Sequence, residues 1–200
     1  LEDLGWGKDT IDVIVFVSSS ADYVVPPTAC IIQEELGLPE TCLSIEIKHG
    51  CSGWVVGLNS AASLIMGGCL KRALLLCGDT STLLHSPFDK ETRPLFGDAG
   101  SCTALEFDTI ASTLEFEHGT RGKDFKSIYT PVGGCRNAVT AKDLEFIEYG
   151  PNQLRRNIDC TMDGMNVFAF GMSVAPKSVK RLAEKYVLNL EQMEIGRAHV

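Results

Sequence analysis

The sequence lacks the features of nucleic-acid-binding and membrane proteins. Its formal net charge of −8 leaves no excess of Lys and Arg, which argues against nucleic acid or an anionic membrane surface as the main partner. No apolar run approaches the length of a membrane span, and no signal-peptide pattern is recognisable. What the sequence does contain, 44% apolar and 22% charged residues, is typical of a globular chain with one substantial core.

The eight cysteines and four histidines form no recognisable ligand set. No C-x-x-C pair occurs, and most cysteines lie within apolar runs, where a disulfide has no obvious partner. We therefore predict reduced thiols, most of them in the core, and a cytoplasmic protein. The histidines, at positions 49, 85, 118 and 199, are not spaced as metal ligands with cysteines or carboxylates, so we predict no metal site.

Strand and helix patterns alternate over the first part of the chain. A nearly continuous apolar run from Ile11 to Val17 predicts a strand that is buried on both faces of a sheet. Further patterns predict a helix over 29–36 capped by Thr28, a strand over 42–48, a helix from Trp54 to Gly67-Gly68, and a strand over 72–77. This order predicts right-handed βαβ crossovers and therefore the α/β fold class.

The patterns are weaker in the second part of the chain. They predict a polar connection over 78–94, a glycine-rich turn over 95–101, an antiparallel hairpin of 102–107 with 112–117, and a surface excursion over 119–150. From Asp163 to about Tyr186 the spacing predicts an amphipathic helix. We expect Pro176 to kink or divide this helix. Its face with Phe168 and Met172 is of a kind that is more often core than cofactor site.

Cys51 lies at a predicted strand-to-helix turn. Leu43, Ile45 and Ile47 alternate with polar residues until the chain breaks at 49–53, and helical spacing follows. A helix N-terminus favours negative charge, so a thiolate there is stabilised, and flanking glycines would let a substrate carbonyl approach the backbone. The alternative is a small buried cysteine, which the spacing alone favours because such short patterns are common.

Five short motifs follow one another along the chain. They are Ile11–Val15, Pro26–Cys30, Cys51–Trp54, Leu95–Gly100 and Met162–Phe168. In this order they resemble the β-ketoacyl-acyl carrier protein synthase III family of the thiolase superfamily, and the similarity extends from about Gly5 to Asn189. The resemblance matches Cys51 with the family's nucleophile, and so it favours a reactive cysteine over a buried one.

The resemblance implies a fold and a domain organisation. Family members have a thiolase-like αβαβα fold, with mixed sheets and helices on both faces, built from two similar halves. On this basis residues 1–160 correspond to a truncated N-terminal half that carries the nucleophile, and residues 161–193 to the start of the C-terminal half. Residues 194–200 have no apolar period and read as a translated sequencing adapter, so we exclude them from the fold.

The resemblance also implies an activity. The family's cysteine attacks an acyl-CoA thioester, and the acyl-enzyme then condenses with malonyl-acyl carrier protein after decarboxylation, in fatty-acid or related biosynthesis. No cofactor is expected besides the CoA thioester, which is a substrate. The family's catalytic His and Asn match no residue of this chain, so we expect residues 1–200 alone to be inactive. Two alternatives remain open: a thiolase-superfamily acyltransferase with another acceptor, and a non-catalytic partner subunit.

Four further residues match substrate-binding positions of the family. Met162 and Phe168 match places that line the CoA tunnel. Lys90 stands where an arginine often meets the nucleotide end, so we expect weaker stacking on adenine. Val25 matches the residue that reaches across a homodimer into the partner's acyl pocket.

Two residues beside the nucleophile depart from the family pattern. His49 and Trp54 stand where family members usually have Ala and Phe. We therefore expect the immediate surroundings of Cys51 to differ from those in relatives.

Overall fold

The computed structural model describes residues 1–192. The predicted adapter tail at 194–200, like residue 193, lies outside the described residues. The strands are β1 (Val13–Ser18), β2 (Leu43–Lys48), β3 (Arg72–Thr80), β4 (Asp98–Glu106), β5 (Ile128–Tyr129), β6 (Ile147–Gly150), β7 (Gln153–Arg155) and β8 (Thr161–Met162). The α-helices are α1 (Thr28–Glu35), α2 (Gly53–Met66), α3 (Ser81–Leu84) and α4 (Gly164–Tyr186).

The chain divides into two compact units. The first comprises Leu1–Leu114 and Glu145–Arg156, and the second comprises Glu115–Leu144 and the residues from Asn157 onward. No helix within residues 1–192 is both long enough and apolar enough to cross a membrane.

The first unit is built on a mixed four-stranded sheet. Its strand order is β2-β1-β3-β4. β1 pairs in parallel with both neighbours, so that Val13 lies opposite Leu43 on one side and Ala73 on the other. β4 runs antiparallel to β3, with Cys77 opposite Ser101. A parallel strand between two parallel neighbours is the arrangement that the βαβ pattern predicts.

Helices cover both faces of this sheet. The valines of β1, of which Val15 is fully buried, pack in one cluster with Ala61 and Ile65 of α2. Ile14 points to the other face and packs in a second cluster with Ala29 of α1. Because successive side chains of a strand point to opposite faces, the continuous apolar run of β1 supplies both clusters. The predicted α/β class, with a mixed sheet and helices on both faces, is confirmed.

The predicted hairpin of 102–107 with 112–117 is wrong. The glycine-rich segment predicted as a turn contains the start of β4 at Asp98, and β4 pairs with β3 over nine residues, from Arg72 with Glu106 to Thr80 with Asp98. Residues 112–117 form no strand. The main chain of β3 needs a hydrogen-bonding partner on the side away from β1, and this long-range demand outweighs the local alternation. β3 also continues to Thr80, into the segment predicted as a loop.

Two smaller predictions are also wrong. Thr28 is the first residue of α1 rather than its cap, and its hydroxyl accepts a hydrogen bond from the Asp22 N–H at 3.0 Å. None of the eight cysteines forms a disulfide in the described residues, and only Cys42 is buried, whereas five are exposed. Cysteine in an apolar run is not always on the inward face; Cys102, for example, lies on the exposed edge strand β4.

The second unit contains the long helix α4. Asp163 caps it, since its carboxylate accepts a hydrogen bond from the Asn166 N–H at 3.0 Å, and the helix continues through Pro176 without division. Phe168 and Met172 are each 65% exposed, so the interpretation of this face as core is wrong for the described chain. Apart from Ala183, no residue of α4 is buried.

Candidate active site

Cys51 lies in the turn between β2 and α2, as predicted. β2 ends at Lys48, the Gly53 N–H donates to the Gly50 carbonyl at 2.6 Å, and Ser52 is the N-cap residue of α2. Cys51 is exposed, so the alternative of a small buried residue is wrong. The first turn of a helix carries partial positive charge, which makes this an electrostatically suitable position for a thiolate nucleophile.

Glycines let α2 lie directly on the sheet. A Cβ at Gly53 would lie 2.5 Å from Val17 Cγ1, and a Cβ at Gly57 would lie 2.5 Å from Leu75 Cδ1. No side chain fits at either position without movement of the Val17 or Leu75 side chain. Gly53 therefore serves the packing of the helix rather than the approach of a substrate. At Gly50, by contrast, an added Cβ would meet nothing within 4 Å, so this side of Cys51 is open.

Two side chains link the start of α2 to its surroundings. The His49 Nε2 and Ser52 Oγ atoms are hydrogen-bonded at 2.9 Å across the turn that holds Cys51. The Trp54 indole N–H donates to the Thr103 hydroxyl of β4 at 3.0 Å. Both bonds need the residues at which this chain departs from the family pattern, since the side chains of alanine and phenylalanine have no polar atom. The spacing of His49 and Ser52 is a local signal that sequence reasoning did not use.

Three of the predicted site residues follow the carboxyl ends of parallel strands. Val25 lies in the loop after β1, Cys51 in the turn after β2, and Lys90 in the segment after β3 and α3. Because β1, β2 and β3 are mutually parallel, these connections leave the sheet at the same edge. Ligands of α/β sheets bind at this edge. Val25 is 79% exposed and Lys90 is also exposed.

The loop after β1 is fixed by a carboxylate that sequence reasoning missed. One oxygen of Asp79, Oδ1, accepts hydrogen bonds from the Ser18 hydroxyl and from both the N–H and the hydroxyl of Ser19 and Ser20, at 2.7 to 3.1 Å. Asp79, Ser18 and Ser20 line an open cleft of about 290 Å³. No local pattern could reveal this cluster, because Asp79 is 61 residues from Ser18 along the chain.

The segment that carries Lys90 is held by a buried ion pair. The Asp89 carboxylate accepts two hydrogen bonds from the Arg155 guanidinium, at 2.8 and 3.2 Å, and neither side chain is more than 6% exposed. Arg155 also donates to Glu91 at 2.8 Å. The Lys90 ammonium donates to the Pro151 carbonyl at 2.9 Å. Residues 89–91 are thus attached to the hairpin of β6 and β7, a contact that sequence reasoning also missed.

Two other thiols of the first unit are less suited to nucleophilic attack. Burial raises the pKa of the Cys42 and Cys77 thiols. The Asp79 carboxylate raises the pKa of Cys77 further. A raised pKa lowers the fraction of thiolate at neutral pH, and the thiolate is the reactive form.

Met162 and Phe168, the remaining predicted site residues, belong to the second unit. Met162 lies in β8 and pairs with Ile128 of β5. Phe168 lies in the second turn of α4, with its ring largely exposed. Within residues 1–192, no group of three or more His, Cys, Asp or Glu side chains is arranged to hold a metal ion.

Comparison with known proteins identifies relatives of this chain. A family model described as 3-oxoacyl-[acyl-carrier-protein (ACP)] synthase III matches residues 45–122, which include Cys51. A putative 3-oxoacyl-[acyl-carrier-protein] synthase 3 of Campylobacter jejuni is 32% identical over 186 residues, which are 92% of this chain and 52% of the relative. A β-ketoacyl-[acyl-carrier-protein] synthase III of Fusobacterium nucleatum is 28% identical over 198 residues, which are 96% of this chain and 56% of the relative.

Solved structures give the same result. A crystal structure of a 3-oxoacyl-(acyl-carrier-protein) synthase III superposes with a TM-score of 0.84 at 31% identity, over 93% of this chain and 56% of the other. The 3-oxoacyl-(acyl carrier protein) synthase of Burkholderia xenovorans gives a TM-score of 0.77 at 34% identity, over 94% of this chain and 52% of the other. The chain thus spans about half the length of the relatives that it matches. With the sequence motifs, the cysteine turn and the sheet all in agreement, the chain belongs to the 3-oxoacyl-[acyl-carrier-protein] synthase III family of the thiolase superfamily.

Proposed function

We propose that the whole protein is a condensing acyltransferase of 3-oxoacyl-acyl carrier protein synthase III type. It takes an acyl group from acyl-CoA and joins it to malonyl-acyl carrier protein, in fatty-acid or related biosynthesis. The observation that carries this proposal is the exposed Cys51 at the first turn of α2, inside the segment matched by the family model. The names of the relatives support the reaction type.

In the first step Cys51 becomes acylated. Its thiolate attacks the carbonyl carbon of the acyl-CoA thioester, and the bond between that carbon and the CoA sulfur breaks. CoA leaves as a thiolate and takes up a proton. One thioester replaces another, so the acyl group stays activated. In this proposal the Cys51 N–H and the partial positive charge at the start of α2 stabilise the negative charge of the tetrahedral intermediate.

In the second step a new carbon–carbon bond forms. Malonyl-acyl carrier protein loses carbon dioxide, and the resulting carbanion attacks the acyl-cysteine carbonyl. The bond to the Cys51 sulfur breaks, and the 3-oxoacyl product leaves on the carrier protein. Hydrogen-bond donors must stabilise the enolate oxygen, and in the family these are a His and an Asn. No residue of this chain matches them, so we propose that residues 1–200 alone do not catalyse this step.

Substrate contacts follow from the residues at matching positions. Lys90, Met162 and Phe168 are proposed to contact CoA, with the Lys90 ammonium at the nucleotide end. Lys is a weaker stacking partner for adenine than Arg, because its charge is not delocalised over a plane. No cofactor is needed for this chemistry apart from the CoA thioester that is consumed.

We propose a homodimer in which Val25 reaches the partner's acyl pocket. The supporting observation is a short apolar tip in the loop after β1, where Tyr23, Val24 and Val25 are all exposed. Contiguous exposed apolar side chains are typical of a surface that another chain covers.

The domain organisation is also a proposal: residues 1–160 belong to a first half of the fold, and residues 161–193 are the start of a second, similar half.

A cytoplasmic location is also proposed. None of the eight cysteines forms a disulfide in the described residues, and a chain with this many thiols is suited to a reducing compartment.

The test is to expose the whole protein briefly to acetyl-CoA and octanoyl-CoA and to locate the acyl group by mass spectrometry. We expect acylation at Cys51, none in the Cys51→Ala variant, and unchanged acylation in the control Cys102→Ala. Subsequent addition of malonyl-acyl carrier protein should discharge the acyl group as a 3-oxoacyl product. Acylation at Cys77 or Cys102 with Cys51 unmodified would overturn the proposal. An acyl-cysteine that is discharged only to another acceptor would favour the acyltransferase with a different acceptor. No acylation at all would favour the non-catalytic partner subunit.

A further inference from the structure

The hydrogen bond between His49 and Ser52 spans the proposed nucleophile. It joins the residue two positions before Cys51 to the residue directly after it, at 2.9 Å. Both side chains are exposed, so this bond is not a by-product of core packing. A family member with alanine in place of His49 cannot make it. The bond is therefore a feature of this chain's own sequence.

Ser52 occupies the N-cap position of α2, where a serine normally has a different role. An N-cap hydroxyl usually accepts a hydrogen bond from the second or third amide N–H of the helix. In this structure Ser52 makes no such side-chain bond. Its hydroxyl is instead engaged by His49. The same contact thus accounts for both observations.

We propose that His49 is a positioning residue that holds the Ser52 hydroxyl away from the first turn of α2. The amide N–H groups of that turn then remain available to the negative charge that develops on Cys51 and on the thioester oxygen. A capping hydroxyl would compete for these same groups, because each N–H donates most effectively to one acceptor. This inference rests on the proposed function, in which Cys51 is the nucleophile.

The role assigned to His49 requires a hydrogen bond but no proton transfer. The imidazole can donate to the hydroxyl or accept from it, and the geometry of the turn is the same in both cases. Glutamine, whose amide nitrogen occupies a place similar to Nε2, therefore replaces His49 in this role, whereas alanine does not.

The experiment measures the rate of Cys51 acylation by acetyl-CoA in the whole protein, by rapid acid quench and mass spectrometry. In His49→Ala the freed Ser52 hydroxyl caps α2, and we expect acylation to slow by about fivefold, within the range of a single cap bond. Ser52→Ala is expected to acylate at nearly the wild-type rate. The double variant His49→Ala/Ser52→Ala should regain that rate, because no hydroxyl remains to compete. His49→Gln should stay within about twofold of wild type.

Two controls and a second readout separate this role from a structural one. His118→Ala removes a histidine of the second unit, and Ser60→Ala removes another hydroxyl of α2, which bonds the Val56 carbonyl. Neither should change acylation. Because His49→Ala gains a cap bond, its Tm should not fall, whereas loss of a purely structural contact would lower it.

The possible outcomes distinguish the inference from the function on which it rests. Wild-type protein that does not acylate at Cys51 refutes the proposed function itself. Wild-type protein that acylates normally, with His49→Ala equally fast, overturns the role of His49 alone. A double variant as slow as His49→Ala, or a slow His49→Gln, would also overturn it, since the effect would then not pass through the Ser52 hydroxyl.

Discussion

The strand-helix core of residues 11–77 and the helix α4 are both apolar, but only the first is covered. In β1, Val13, Ile14 and Val15 are completely buried between α1 and α2. In α4, Phe168 and Met172 lie on an open surface. Both segments show an apolar pattern, which is a continuous run in β1 and a helical periodicity in α4.

The difference shows what an apolar pattern does and does not predict. It identifies a surface that must be covered in the functional protein, but not which part of the protein covers it. For β1 the cover comes from helices that follow directly in the chain, so the prediction of core was correct. For α4 no such element follows within the described residues, and a row of exposed large apolar side chains is typical of a surface for a substrate or a partner.

Among the substitutions that test this comparison between covered and open regions, the largest effect is expected at two arginines, one in each unit. Arg155 is buried with Asp89, whereas Arg181 pairs with Glu117 at 2.6 Å but is 49% exposed. Arg155→Met leaves a buried carboxylate without its partner, and we expect the free energy of unfolding to fall by about 3–5 kcal/mol. Arg181→Met should change it by less than about 1 kcal/mol, because solvent screens that pair.

Urea denaturation of the whole protein measures both changes, with the double variant Asp89→Leu/Arg155→Met as a further control. Removing both charges should restore much of the stability that the single variant loses. If Arg155→Met and Arg181→Met lose equal stability, the burial of the first pair is not what makes it important.

A glycine in each helix gives the next largest effect, and the same substitution should have opposite signs. At Gly57 of α2, a Cβ would lie 2.5 Å from Leu75 Cδ1 and 2.8 Å from Val17 Cγ2. At Gly171 of α4 it would meet nothing within 4 Å. Gly57→Ala is therefore expected to destabilise the protein by about 1–3 kcal/mol through overpacking. Gly171→Ala should stabilise it by about 0.5–1 kcal/mol through helix propensity.

Thermal or chemical unfolding would show both effects, and circular dichroism would confirm that the variants keep their helix content. A stabilising Gly57→Ala would mean that α2 does not pack on the sheet as closely as described. The position of Cys51, which depends on that packing, would then need another explanation.

Local signals made the first part of the fold predictable. The ends of α1 and α2 were found within one or two residues because a glycine follows each helix closely, and Gly37 adopts the left-handed conformation that terminates a helix. The turn that holds Cys51 was found from its glycines in the same way. The assignment of Cys51 as nucleophile, however, came from the resemblance, since spacing alone favoured a buried residue.

The rest of the site could not be predicted because its contacts are long-range. Arg155 meets Asp89 across 66 residues, and Asp79 meets Ser18 across 61. Neither pair leaves a periodic trace in the sequence. β4 was missed for a related reason. It pairs with β3 because the main chain of β3 has unpaired hydrogen-bonding groups on the side away from β1, and the alternation of residues within β4 does not reveal this partner.

A smaller effect concerns acid stability, where Asp89 and Glu117 provide a matched pair. Burial acts to raise the pKa of Asp89, but hydrogen bonds from Arg155 and Thr92 outweigh it, and the pKa lies below its usual value. The hydrogen bond from Arg181 lowers the pKa of Glu117. A carboxylate with a lowered pKa stabilises the fold above its unfolded-state pKa, about 4, and this contribution is lost as the pH falls through the folded-state pKa.

We therefore expect wild-type stability to fall as the pH is lowered from about 4 through the lowered folded-state pKa of Asp89, and Asp89→Asn to flatten this dependence. Glu117→Gln should flatten it less, because its ion pair is more exposed to solvent. Urea unfolding at a series of pH values measures the slopes. Equal slopes in Asp89→Asn and wild type would show that Asp89 does not contribute to the loss.

The smallest effect, a change in substrate preference, tests whether exposed apolar residues of the two units differ in function. Val25 lies in the loop after β1 and Val179 in α4, and both are at least half exposed. If Val25 lines the partner's acyl pocket, its small side chain leaves room for primers longer than acetyl. Each additional buried methylene contributes about 0.8 kcal/mol, so Val25→Phe should lower the ratio of octanoyl-CoA to acetyl-CoA use several-fold. Val179→Phe, which adds the same ring outside the proposed pocket, should leave the ratio unchanged.

The ratio of kcat/KM values for the two primers is the measurement, and it is insensitive to the fraction of active enzyme. An unchanged ratio in Val25→Phe would remove this residue from the pocket, whereas a changed ratio in Val179→Phe would place the exposed face of α4 there instead.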